Sequence, residues 1–127
     1  MQVELVSPER ILYSGDADMI VCRTTDGDIA FMDNHAPFIG ALGIGPVRIY
    51  ANGNVIESAA VHGGFVEVSN NKVTILSDVA ELKSQIDLRR AEEALARAEA
   101  ALVRQQDAEV EAAVRRATVR VELGKAA

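Results

Sequence analysis

The stretch Val47-Arg-Ile-Tyr-Ala-Asn-Gly-Asn-Val-Ile-Glu-Ser-Ala-Ala-Val-His-Gly-Gly-Phe-Val-Glu-Val-Ser-Asn-Asn-Lys-Val-Thr-Ile-Leu76 decides the fold class of this 127-residue chain. Runs rich in Val, Ile and aromatic residues are cut at short intervals by turn pairs. Val47–Tyr50 and Val55–Ala60 flank Asn52-Gly53, a pair suited to the positive φ angles of a tight hairpin. Phe65–Val68 and Val73–Leu76 flank Asn70-Asn71, a second tight turn, and the alternation within Phe65–Val68 is that of a half-buried strand. Upstream, Gln2–Val6, Ile11–Tyr13, Met19–Arg23 and Asp28–Met32 continue the pattern. Eight or more short strands in about 80 residues predict an antiparallel β-sandwich or a flattened barrel.

Beyond this stretch the composition changes. All five aromatic residues, all three prolines and eight of the nine glycines lie before Ala80, whereas twelve alanines fall between Ile86 and Ala127. Leu88, Ala91, Leu95, Ala98 and Leu102 recur at helical spacing, and Val110, Val114, Ala117 and Val121 make a second stripe. Ser84 with Asp87 offers a capping box for the first helix, or Asp87 caps it directly; Asp107 suits the second start and Gly124 its end. The chain therefore reads as α+β, with a β-sandwich over residues 1–82 and an antiparallel helical hairpin over 83–127. Stripes of Ala and Val bury little area, so the hairpin is expected to be helical but loosely committed to any docking surface.

Charge follows the same boundary. The formal net charge is -6; residues 1–80 carry four basic and ten acidic groups, and residues 81–127 carry nine of each. An acidic sandwich argues against nucleic-acid binding. No run approaches the roughly 20 apolar residues of a membrane span. The start MQVELVSPER lacks a signal-peptide pattern, so a bacterial-type cytoplasm is the simplest compartment. The single cysteine, Cys22, lies in an apolar run and is expected to be a buried, inert thiol.

Few residues suggest chemistry. His35 and His62 stand in no HxH or HExxH pattern, and His62, before Gly63-Gly64, reads as a turn histidine bonded to nearby backbone. No nucleophile elbow or phosphate loop is present, so an enzyme is not expected. The arginines say more. Asp87, Arg90 and Arg97 share one helical face, and Arg116 and Arg120 lie four apart on the second helix. In an antiparallel hairpin these pairs can converge on an anion, and guanidinium groups suit phosphate. The competing reading is a solvated face held by pairs such as Glu93–Arg97 and Glu111–Arg115.

Four collinear stretches carry a resemblance. VSPERILYSGDADM (6–19), DGDIAFMDNHAPFIGALGIG (26–45), HGGFVEVSNNKVTILSDVAE (62–81) and IDLRRAEEALARAEAAL (86–102) resemble the epsilon subunit of F-type, proton-translocating ATP synthases. The resemblance implies a sandwich of about ten strands followed by a two-helix domain. It implies a non-catalytic central-stalk subunit, bound to the gamma subunit and the c-subunit ring, that couples proton translocation to ATP synthesis. It implies regulation of ATP hydrolysis by a hairpin able to extend toward the alpha and beta subunits of the catalytic head. It also implies a peripheral position on the cytoplasmic side of a bacterial plasma membrane. Asp28 and His35 match positions that face the c ring. Ile86-Asp87-Leu88-Arg89-Arg90-Ala91 matches the ATP-binding signature of some bacterial members, with Glu81, Arg97, Arg116 and Arg120 as its further contacts. ATP is then a regulatory ligand, and no cofactor is required. Ala30 and Met32-Asp33 depart from the family pattern in the fourth strand, and the second helix is about a turn shorter than in the longest members. The alternative function is a free-standing ATP-sensing adaptor with the same fold.

Overall fold

The structure, a computed structural model, describes residues 1–126. Eight strands run β1 Gln2–Val6, β2 Ile11–Asp16, β3 Met19–Thr24, β4 Gly27–Met32, β5 Phe38–Ala51, β6 Asn54–Ser69, β7 Lys72–Ser77 and β8 Ala80–Leu82. A 3-10 turn at Lys83–Gln85 leads to α1 (Leu88–Arg104) and α2 (Ala108–Lys125). The strands form one continuous ladder, β2-β1-β7-β6-β5-β3-β4, with β8 added to β6. All pairings are antiparallel except β1 with β7. The ladder folds over a core built from Val3, Leu5, Ile20, Phe31, Val47, Ile49, Val66 and Ile75.

The strand count is eight rather than about ten, because β5 and β6 are 14 and 16 residues long. Val55–Ala60 and Phe65–Val68, expected as two strands, are one. Gly63 and Gly64, at φ 85° and 116°, bend β6 without ending it. The tight turns fall where expected: Asn52, Gly53, Asn70 and Asn71 all have positive φ.

Burial along β6 shows why it matters. Ser58, Ala59, Ala60, Val61 and His62 are all buried in succession. Ala59 and Val61 point into the sandwich, whereas Ala60 packs with Val119, Leu123, Ile44 and Ile86. One strand thus carries the sandwich core on one face and the helical hairpin on the other.

The helix caps follow side-chain chemistry. Asp87 caps α1, accepting the Arg90 N–H at 3.2 Å, and Asp107 caps α2, accepting the Val110 N–H at 2.9 Å. Gly124 does not end α2; it lies inside its last turn, and Ala126 is the C-cap. A Cβ at Gly124 would meet Leu88 Cδ1 at 3.1 Å and Ile86 Cγ2 at 3.4 Å, so glycine lets the start of α1 lie close against the end of α2. The hairpin is seated on the sandwich by more than the Ala and Val stripes read from its sequence. The reason is a second row on α2, Val119 and Leu123, only 4% and 2% exposed, which meets Ala60 and Ile44 while Ala117 and Val121 occupy the first row. The Lys83 ammonium group donates to the Ala126 carbonyl at the same end. α1 touches the molecule mainly through α2 and buries only Ala91.

Candidate functional site

The seat of the hairpin creates a cleft of about 780 Å³ between sandwich and helices. The size is within the range that holds a small-molecule ligand. Three elements furnish the part of its lining expected from the sequence. β8 supplies Glu81, placed by its pairing with Ala60 of β6. The first turns of α1 supply Asp87, Arg90, Ala91 and, two turns after Arg90, Arg97. α2 supplies Arg120, whose Nε lies 3.4 Å from Glu81 Oε1 with both side chains about a third exposed. Six of the seven residues singled out from the sequence therefore line one cleft.

Arg116 is the seventh and does not line it. Its guanidinium group donates to Glu109 at 2.8 Å, back along α2. Neither Glu93–Arg97 nor Glu111–Arg115 is formed among the described residues, although α1 does carry one exposed i,i+4 pair of that kind. Glu93 pairs with Arg89 at 3.4 Å instead of with Arg97. Among the described residues, Arg90 and Arg97 pair with no carboxylate. Two uncompensated guanidinium groups on one cleft wall, with a third held by a long contact, are equipped to clamp an anion.

Two lining residues were not expected. Arg10, on the turn between β1 and β2, reaches the cleft from the sandwich. His62 lies on its floor. It is a strand residue rather than a turn residue, paired with Ile44, and its backbone N–H donates to the Val79 carbonyl at 2.9 Å. The residue is 8% exposed, and neither ring nitrogen has a hydrogen-bond partner among the described residues. Burial first, then the charges of Arg120 and Arg116, lower its pKa from 6.5 to about 4. Strand parity was the available signal. His62 is two residues from Ala60 and so shares the face that receives the helices.

Asp28 and His35 do not line this cleft and are not brought together. Asp28 opens β4 and accepts from Arg23 Nε at 2.9 Å. Four strand steps, roughly 13 Å, separate it from Met32, and His35 lies beyond. The His35 ring stands edge-on to Phe31 at 4.8 Å, with Nδ1 2.7 Å from the Ala36 carbonyl. Cys22 is fully buried; burial, then Asp28, raises its pKa to about 12, which makes it inert. Among the described residues no three His, Cys, Asp or Glu side chains converge as a metal site would need, and no helix is long and apolar enough to cross a membrane.

A second surface is apolar. Cross-strand pairing aligns Ala41, Phe65, Leu76, Val6 and Ile11 in one row over β5, β6, β7, β1 and β2. Phe65, Leu76 and Ile11 are 56%, 46% and 59% exposed.

Comparison with known proteins agrees with the architecture. Residues 1–83 match the family described as ATP synthase, Delta/Epsilon chain, beta-sandwich domain. The ATP synthase epsilon chain of Streptomyces griseus is 44% identical over 121 residues, covering 95% of this chain and 92% of that relative. The epsilon chain of Brevibacillus brevis is 48% identical over 94 residues, 74% of this chain and 71% of the relative. A chain in the Euglena gracilis mitochondrial ATP synthase shares the fold, with a TM-score of 0.71 at 21% identity, over 94% of this chain and 74% of the other. With a sandwich that matches throughout and a relative that spans nearly its whole length, the chain belongs to the ATP synthase delta/epsilon family.

Proposed function

We propose that this chain is the epsilon subunit of a bacterial rotary ATP synthase, without catalytic groups of its own. In this reading it couples proton translocation to ATP synthesis and restrains ATP hydrolysis through the position of its hairpin. The sandwich docks on the gamma subunit and the c ring on the cytoplasmic side of the membrane. Asp28 and His35 face the ring, and ATP is the ligand that holds the hairpin down.

The observation that carries the regulatory reading is the cleft itself. Its walls come from β8, α1 and α2, so it exists only while the hairpin is seated on the sandwich. A ligand that bridges Arg90 and Arg97 to Arg120 and Glu81 binds the seated state alone and shifts the population toward it. The outward apolar row through Phe65 and Leu76 supports docking to another subunit, since single exposed apolar residues are ordinary and aligned ones are not.

Titration calorimetry with ATP tests the cleft: heat with the wild type and its loss in Arg90→Ala are expected, and a wild type that gives no heat discards ATP as the ligand. Co-purification with gamma tests the assembly. Phe65→Glu is expected to weaken it, and a wild type that never associates with gamma overturns the stalk assignment.

A further inference from the structure

His62 is a polar group that the fold leaves unsatisfied. The residue is more than nine-tenths buried, lines the cleft, and has no hydrogen-bond partner on either ring nitrogen among the described residues. Unpartnered buried polar atoms are rare because each gives up water and receives nothing in return. Packing against α2 alone does not call for an imidazole. Ser58 and Ala60, on the same face of β6, are buried with small side chains.

Arg10 is the matching feature at the rim. Its turn is held by Ser7 N–H to Arg10 carbonyl at 2.9 Å and by Arg10 N–H to Ser7 carbonyl at 3.3 Å, with the Ser7 hydroxyl on the Arg10 carbonyl at 3.2 Å. The backbone is thus fixed while the side chain lines the cleft and pairs with no carboxylate among the described residues.

We propose that Arg10 and His62 are phosphate-binding residues that the sandwich contributes to the cleft, and that His62 takes up a proton when a nucleoside polyphosphate binds. The proposal rests on the cleft being a nucleotide site and adds the sandwich to its recognition. The charges facing the ring explain the proton. From α2, Arg120 acts from the cleft wall and Arg116 from outside it, where Glu109 holds it, and the β1–β2 turn presents Arg10. α1 presents Arg90 and Arg97 with Asp87 and Glu93. β8 presents Glu81, and Asp78, between β7 and β8, lies beside Gly63, the residue after His62. Burial first, then the Arg120 and Arg116 guanidinium groups, keep the ring neutral. A triphosphate adds several negative charges beside the ring, so the imidazolium becomes the favoured form. The ring nitrogens are covered in the unliganded cleft. In the proposal a bound phosphate displaces the side chains over them; Arg120, held by Glu81 only at 3.4 Å, is one that can move.

The test is calorimetry of the whole chain with ATP, inorganic tripolyphosphate and adenosine, in two buffers of different ionisation enthalpy near pH 6.5, with the ligand's own proton exchange measured separately. Wild type is expected to take up protons with ATP and with tripolyphosphate beyond those of the ligand. His62→Gln is expected to bind both roughly tenfold more weakly and to lose the extra uptake. Arg10→Ala is expected to bind about three- to tenfold more weakly with the uptake intact. Adenosine alone is expected to bind these variants and the wild type alike. A wild type that binds ATP with no protons beyond the ligand's own overturns the role of His62, whatever the variants do. Wild-type affinity in both variants, with binding lost in Arg90→Ala, overturns the whole inference and leaves the nucleotide cleft standing. No ATP binding by the wild type removes the reading on which the inference rests.

Discussion

Acidification should release the hairpin of the unliganded protein, and the magnitude follows from His62. The three causes that depress its proton affinity are burial, Arg120 and Arg116; both arginines are on α2. Lifting α2 removes their charges and opens the ring to water, so its pKa returns from about 4 toward 6.5. A basic group with a lowered pKa in the docked state supports docking above its undocked pKa. That support falls away as pH drops from 6.5 toward 4 and is fully gone below. Near pH 7.5 both states hold the ring neutral and the effect is negligible. At pH 5.5 the undocked ring is about ten-elevenths protonated and the docked ring almost neutral. Docking then weakens roughly tenfold, or about 1.4 kcal/mol. The assay is energy transfer between dyes on Val103→Cys, at the exposed hairpin tip, and Glu67→Cys, on the outer face of β6. Buried Cys22 leaves both labels selective. Transfer should fall between pH 7.5 and 5.5 and stay flat over that range in His62→Gln. A wild-type signal that does not change with pH, or an equal change in the variant, refutes the reasoning. Saturating ATP should blunt the effect, since a bound phosphate lets the docked ring hold its proton.

Three further outcomes test the packing. Gly64→Ala should cost at least about 3 kcal/mol and lower Tm by on the order of 10 °C, because φ is 116° and an added Cβ would collide with the Leu76 carbonyl; calorimetric melting checks this. Leu123→Ala should weaken hairpin docking by about 3 kcal/mol while the sandwich melts as before, read as faster hydrogen exchange confined to α1 and α2. At pH 8 a thiol with a pKa of about 12 is roughly one part in ten thousand thiolate, so Cys22 should resist an aromatic disulfide reagent until denaturant is added; prompt reaction in the native protein would contradict its burial.

The legible parts of the sandwich were those governed by neighbours in sequence. Asn52-Gly53 and Asn70-Asn71 mark their turns because left-handed backbone is a property of the residues themselves. Asp87 and Asp107 mark helix starts for an equally local reason, a carboxylate within reach of an N–H three residues on. The number of strands was not legible. A Gly-Gly pair reads as a break, and only the ladder that pairs Phe38–Ile44 of β5 with His62–Val68 shows that β6 bends and continues.

The site divides in the same way. The sequence by itself determined the charge boundary near Ala80, the helical face shared by Asp87, Arg90 and Arg97, and the motifs of the family, because spacing along one helix is set by its pitch. Tertiary structure alone decided that Arg120 meets Glu81, that Arg116 turns back to Glu109, and that Glu93 leaves Arg97 free for Arg89. It alone brought Arg10 and His62 to the same cleft, from positions 52 residues apart in the chain. Each of these depends on how α2 sits on β6. That seat comes from two rows of small and branched side chains, Ala117 with Val121 and Val119 with Leu123, whose partners no local pattern names.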